Sequence, residues 1–260
     1  MKLISVLLAS LCLATPAFAT ETREWSYKQH DSKYLSPAEW GLEYPTCNGR
    51  RQSPVDITTG PGCGKAAPLV FSGDCGDFSV KQTTEAYKLE VENGTCSVSA
   101  NAVAYPFAQF HVHAPSEHKL NGKAHDGELH FVHKNAAGNI AVVGVFLKQT
   151  LLGKTDPFVA SVLDGLHRTN ATNSAEIKLP SYASLVNAHI KLGQVYNYPG
   201  SLTTPGCDEV VDWWVASSPL AISTLDLLRL YAFLNKIEIT ELGRNARPTQ
   251  ALNGRTFTAY

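Results

Sequence analysis

Between Phe110 and His118 the sequence reads FHVHAPSEH, three histidines and a glutamate within nine residues. A single valine separates His111 from His113, and residues two apart in an extended strand point to the same side. AQFHVHA therefore predicts Gln109, His111 and His113 on one face, with Phe110, Val112 and Ala114 free to pack as core on the other. A second run, GELHFVH, places Glu128, His130 and Val132 on one face and Leu129, Phe131 and His133 on the other. Two such strands, paired as neighbours, bring His130 beside His111 and His113. Three neutral imidazoles leave a tetrahedral Zn²⁺ one open position, which is the arrangement of a catalytic rather than a structural site. A ligating histidine normally gives its second N–H to an amide or carboxylate, and Gln109 and Glu128 each stand two residues before a proposed ligand. An isolated H-x-H is more often a satisfied strand histidine than a metal site, so the repeated polar-x-His pattern carries the reading. His118 and His133 are expected as buried hydrogen-bonding residues, while nothing distinctive surrounds His125, His167 and His189. Rival chemistries find no support: H-E-x-x-H and G-x-S-x-G are absent, and GPGCGKA (60–66) lacks the spacing and the Ser/Thr of a phosphate loop.

The elements that must position these residues are mostly strands. PLVFSG, YKLEVEN, CSVSANAVAY, AQFHVHAP, GELHFVHK, NIAVVGVFLK, HIKLGQVYNYPG and DEVVDWWVAS are short apolar or alternating runs punctuated by Gly, Pro, Asn and Asp. Two segments predict helices: TDPFVASVLDGLHR with its Asp-Pro start, and STLDLLRLYAFLNKI with Ser223 or Thr224 as N-cap. The fold class is mainly β, in a single domain, with a few peripheral helices.

Of 260 residues, 44% are hydrophobic and the formal net charge is −1, so one sizeable core is available. No basic block points to nucleic acid or an anionic membrane. Residues 1–19 combine a basic start, an apolar run and a small-residue ending at Ala17-Phe18-Ala19, and predict a secretory signal peptide followed by one domain over 20–260. The apolar run is too short to span a bilayer, so no membrane span is expected. The predicted location is secreted, or periplasmic in a bacterium. The sequence carries no signal that fixes an oligomeric state. Five cysteines follow the signal, an odd number for an oxidising compartment, and none has C-x-x-C spacing. Asn93 and Asn170 fit the N-glycosylation pattern, which has meaning only in a eukaryotic source.

The chain resembles the α-class carbonic anhydrases from Trp25 to the segment around Arg247. The matching pieces are RRQSPVDI, QFHVHAPSEH, GELHFVH, AVVGVFL, YPGSLTTPGC and NARP, in the family's order. The resemblance implies a central, largely antiparallel twisted sheet of about ten strands, a conical cavity ending at Zn²⁺, and reversible hydration of carbon dioxide to bicarbonate and a proton by zinc-bound hydroxide. His111, His113 and His130 match the zinc ligands, and Gln109 and Glu128 their outer partners. Thr203 matches the residue that accepts a hydrogen bond from the hydroxide and donates to a carboxylate, matched by Glu117. Val132, Val142, Leu202, Val211 and Trp213 match the apolar substrate wall, with Thr204 at its polar edge. The same resemblance aligns Thr95 with a histidine that relays protons in fast members, and threonine cannot titrate near neutrality. Proton release is then expected through buffer, a water chain past Tyr27, or His30. It also implies a Cys47–Cys207 disulfide and places Asn93 near the cavity rim. Cys63–Cys75 is one second pairing, leaving Cys96 free, with other pairings open. A catalytically silent binding protein on this fold is the main competing function, but silent relatives typically lose a zinc ligand and this chain keeps all three. Ester hydrolysis at the same centre would be a side activity.

Overall fold

A computed structural model describes residues 23–60 and 65–260. The proposed signal peptide and Cys63 lie outside these residues. Eleven strands form the main sheet: β1 (Leu69–Ser72), β2 (Cys75–Gln82), β3 (Tyr87–Gly94), β4 (Ser97–Ala100), β5 (Val103–His113), β6 (Gly127–Lys134), β7 (Ile140–Thr150), β8 (Ala175–Lys178), β9 (Val195–Gly200), β10 (Val211–Ser223) and β11 (Thr258–Ala259). Their spatial order is β8-β2-β3-β5-β6-β7-β10-β9-β11, with β1 and β4 paired to each other and β4 to β5. All pairs in this sheet are antiparallel except β7 with β10. The expected architecture is thus present, with eleven strands where about ten were expected.

Central position explains composition. β7, IAVVGVFLKQT, is buried from Ala141 to Leu147 because sheet neighbours and both packed faces enclose it. One core lies behind the sheet and includes Phe110, Val112, Leu129, Phe131, Val143, Val145 and Trp214. A smaller one on the opposite face includes Val142, Tyr196, Tyr198, Val211, Trp213 and Val215. The period-2 alternation of β7 and β10 sends neighbouring residues to different cores.

Helix α1 (Pro157–Arg168) opens with Asp156 accepting from the Phe158 N–H and Pro157 at the first position. Helix α3 (Thr224–Leu234) opens with Ser223 accepting from the Asp226 N–H. Both contribute buried residues to the core behind the sheet, including Phe158, Val162, Leu166, Leu227 and Leu230. A third helix, α2 (Tyr182–Leu192), corrects the sequence reading of HIKLGQVYNYPG as one strand. Ser181 caps it, Tyr182, Ala183 and Val186 bury one face, and Gly193 separates it from β9. The first residues of that run, His189 to Leu192, therefore belong to the helix, and the sheet begins only at Val195.

Candidate metal centre and cavity

The histidine strands pair as the alternation required. β5 and β6 are antiparallel neighbours with His111 opposite His130 and His113 opposite Glu128. On the reverse face Phe110 and Val112 stand against Phe131 and Leu129, and the Phe110 and Phe131 rings stack at 5.2 Å. Apolar packing behind the sheet thus fixes the register that brings the imidazoles together in front of it.

One ring nitrogen from each of His111, His113 and His130 lies within 4.8 Å of the others. His111 Nδ1 is 3.0 Å from Gln109 Oε1, and His113 Nδ1 donates to the Asn245 carbonyl at 2.7 Å. Each leaves Nε2 facing the cavity, and His113 Nε2 is buried without a partner. His130 is reversed: Nε2 lies 3.0 Å from Glu128 Oε1, a close contact off the line of a straight hydrogen bond, which leaves Nδ1 toward its fellows. Converging nitrogens with an orphaned buried one among them fit a cation with imidazole ligands better than three isolated histidines. Burial, then the neighbouring His113, His130 and Lys88, hold His111 well below the usual imidazole range. Burial also lowers His113, against the pull of Glu117. At His130 burial is overcome by Glu128, and its pKa is raised.

Glu128 anchors more than His130. Its Oε2 accepts the Glu117 and His118 N–H groups at 3.0 and 2.9 Å, and its Oε1 accepts from His118 Nδ1 at 2.7 Å. Burial would raise this carboxyl, but His118 and His130 outweigh it and hold it well below the usual range. His118 Nε2 meets the Tyr198 hydroxyl at 2.6 Å, and that hydroxyl reaches Ser53 at 2.9 Å. Both nitrogens of His118 are therefore used, as expected for a scaffold residue. His133 is likewise fully buried between the Ala141 carbonyl and the Tyr182 hydroxyl. A glycine makes room for the Glu128 carboxylate: a Cβ on Gly144, opposite His130 on β7, would sit 2.8 Å from Glu128 Oε1.

The cavity in front of the histidines has a volume of about 130 Å³. Tyr27, Gln109, Val132, Val142, Leu202, Thr203, Thr204 and Trp213 line it. Val211 does not; it packs behind the wall with Val142 and Trp213. Glu117 is 1% exposed. Its Oε1 accepts the Arg247 N–H at 2.8 Å, while Oε2 has no hydrogen-bond partner and lies 3.6 Å from His113 Nε2. The hydrogen bond from Thr203 to this carboxylate, implied by the resemblance, is accordingly not made in the structure, although both residues border the same centre. The Thr203 loop is tied down by the Cys47–Cys207 disulfide.

Further expectations change. Thr95 does not line the cavity: it is exposed beyond the far end of β3, where its N–H donates to Asp74. The rim position is taken instead by the turn between β2 and β3, which presents Glu85 and Ala86, followed by Lys88. Asn93 also lies away from the rim, in a depression with Asp77, Glu92 and Glu176. Cys75 pairs with Cys96, not with Cys63. His30 lies in a separate depression with Lys28, Asp31 and Glu238. Asn170 is exposed in a turn where its Oδ1 accepts the Thr172 and Asn173 N–H groups.

Sequence reasoning missed Asn245, whose carbonyl holds His113 and whose side chain clamps β5 through the Ala114 N–H and the Val112 carbonyl. The NARP motif contained it, but the carbonyl that holds His113 leaves no residue-type signal.

Residues 35–260 match the family described as eukaryotic-type carbonic anhydrase. Alpha carbonic anhydrase 3 of Arabidopsis thaliana is 30% identical over 268 residues, covering 98% of this chain and 91% of that protein. A carbonic anhydrase of Pectobacterium carotovorum is 27% identical, covering 98% and 97%. Among solved structures, the α-carbonic anhydrase of Thermovibrio ammonificans in complex with the inhibitor sulfanilamide superposes with a TM-score of 0.74 at 30% identity, covering 91% of this chain and 99% of that one.

Proposed function

Because the chain belongs to the eukaryotic-type, α-class carbonic anhydrase family, we propose that this carbonic anhydrase uses Zn²⁺ to hydrate carbon dioxide reversibly to bicarbonate and a proton. The observation that carries the reading is the convergence of three imidazole nitrogens whose rings are oriented by Gln109, Asn245 and Glu128. His111 and His113 would hold the ion through Nε2 and His130 through Nδ1. When bound, Zn²⁺ supplies Lewis acidity that lowers the pKa of water from about 15.7 to near 7, so that hydroxide is available at neutral pH.

The remaining steps fall to the chain itself. Ionised Glu117 can only accept, and its Oε2 is the acceptor left over. In our reading the Thr203 hydroxyl turns to donate to it, which aims a Thr203 lone pair into the cavity and orients the attacking oxygen. Val132, Val142, Leu202 and Trp213 give carbon dioxide an apolar seat, backed by Val211, and Thr204 offers a polar edge for the product. Among the described residues the cavity is lined by no histidine beyond the three. Burial, with Glu117 adding to it, pushes the Tyr27 phenol well up, so Tyr27 positions water rather than exchanging protons. Buffer then carries much of the proton traffic, and imidazole should raise turnover strongly.

Two disulfides fit an oxidising compartment, and we place the protein outside the cytoplasm. Asn170, exposed on a turn, is the better glycan acceptor of the two sequons. Stopped-flow carbon dioxide hydration before and after zinc removal tests the reading: activity should vanish with the metal and return on reloading. Hydration that ignores zinc, or none with zinc bound, would overturn it.

A further inference from the structure

The rim of the cavity carries a charge that neutral carbon dioxide does not require. Lys88 and Glu90 project from β3, and the register of β3 with β5 sets Glu90 opposite Gln109, which continues to Lys88 beside His111. Lys88 lines the cavity together with Gln109 and His111. Among the described residues its one ion partner is Glu85, at 3.5 Å, and both side chains remain more than a third exposed. Such a pair is weak and readily exchanged. Glu90, two residues along β3 from Lys88, is engaged by Lys81. Among the described residues, the charged side chains lining the cavity, apart from the histidines, are Lys88 and Glu85, three residues apart.

We propose that Lys88 is the anion-holding residue of this cavity, drawing bicarbonate and competing small monoanions to the wall beside Gln109 and His111, with Glu85 as the internal competitor for its ammonium. The proposal rests on the functional reading above and refines its specificity. An ammonium acts on an anion through charge and on carbon dioxide hardly at all, so its effect falls on one side of the reaction. It stabilises bound bicarbonate and other held anions; the overall equilibrium is untouched, since kcat/KM in the two directions must keep a fixed ratio.

The test is calorimetric titration of zinc-loaded protein with thiocyanate, alongside the KM for bicarbonate and for carbon dioxide. Lys88→Gln should weaken thiocyanate binding and raise the bicarbonate KM by roughly threefold to tenfold, the scale of one charge acting across several ångströms near solvent. The KM for carbon dioxide should stay unchanged. Lys88→Arg should restore binding, and Glu85→Gln should tighten it, an opposite sign that mere damage to the rim would not produce. High salt should erase the differences. Equal thiocyanate affinity in wild type and Lys88→Gln, or weakening in Glu85→Gln, would overturn the role of Lys88 while leaving hydration intact. Failure of the functional reading shows differently, as absence of zinc-dependent hydration in the wild type.

Discussion

Gly144→Ala places a methyl carbon 2.8 Å from Glu128 Oε1, where a relaxed contact needs several tenths of an ångström more. The backbone of β7 is held on both sides by β6 and β10, so the carboxylate must give way. Oε1 is the atom bonded to His118 at 2.7 Å and in contact with His130 at 3.0 Å. Glu128 is fully buried, so water cannot replace what is lost. Weakening one charge-assisted hydrogen bond in that setting costs about 1.5–3 kcal/mol, and leaving a buried charge half-paired costs about 3–5 kcal/mol. Partial displacement predicts a loss of about 2–4 kcal/mol in urea unfolding of the zinc-free protein. Because the same oxygen orients His130, zinc affinity should also fall by roughly tenfold to a hundredfold, the range for loss of an outer partner. Gly60→Ala is the control, since a methyl there meets nothing within 4 Å, and it should shift stability by less than about 0.5 kcal/mol. If Gly144→Ala matches Gly60→Ala in both stability and zinc affinity, Glu128 is not the shared anchor and the reasoning is refuted.

Burial pushes the His133 pKa down to about 4, against about 6.5 in the unfolded chain. Between those values the unfolded state binds the extra proton, so stability is fully present above about pH 6.5 and falls by about 1.4 kcal/mol per unit as pH drops toward 4. Urea unfolding across pH 4–7 should show that slope in wild type and a shallower one in His133→Gln; equal slopes would contradict it. Cys47→Ser opens a link between residues 160 apart in sequence and should cost about 3–5 kcal/mol of stability, read from the thermal midpoint, with Cys207→Ser giving the same value. Thr203→Ala should lower kcat for hydration by about two orders of magnitude at unchanged zinc content, the scale of a lost transition-state hydrogen bond. A loss of less than about fivefold would remove Thr203 from the orienting role.

The centre was legible because strand alternation is a short-range rule. Phe110 and Val112 announce a core face, His111 and His113 must then share the other, and Glu128 and His130 repeat the pattern one strand away. What the sequence did not disclose depends on where strands end and which turns meet the cavity. Thr95 fell in a plausible position by count, but β3 runs away from the cavity, and the turn before it supplies Glu85 and its first residues supply Lys88. Cys75 meets Cys96 because β2 and β3 are paired and Cys75 lies opposite Gly94, a register invisible in cysteine spacing. Helix α2 was obscured because only Tyr182, Ala183 and Val186 are buried along it, too few to show a helical period. Asn245 holds His113 through its carbonyl, which every residue possesses.

The central claim is that His111, His113 and His130 together hold one catalytic zinc. A second group, His118, Glu128 and His130, also brings potential ligand atoms within 4.8 Å of one another, but His118 and Glu128 already satisfy each other and their neighbours. Diffraction from zinc-loaded crystals on either side of the zinc absorption edge separates the two. One strong anomalous peak is expected, bonded to His111 Nε2, His113 Nε2 and His130 Nδ1 at about 2.0–2.1 Å. A peak between His118 and Glu128, or none near the three imidazoles, would contradict the claim.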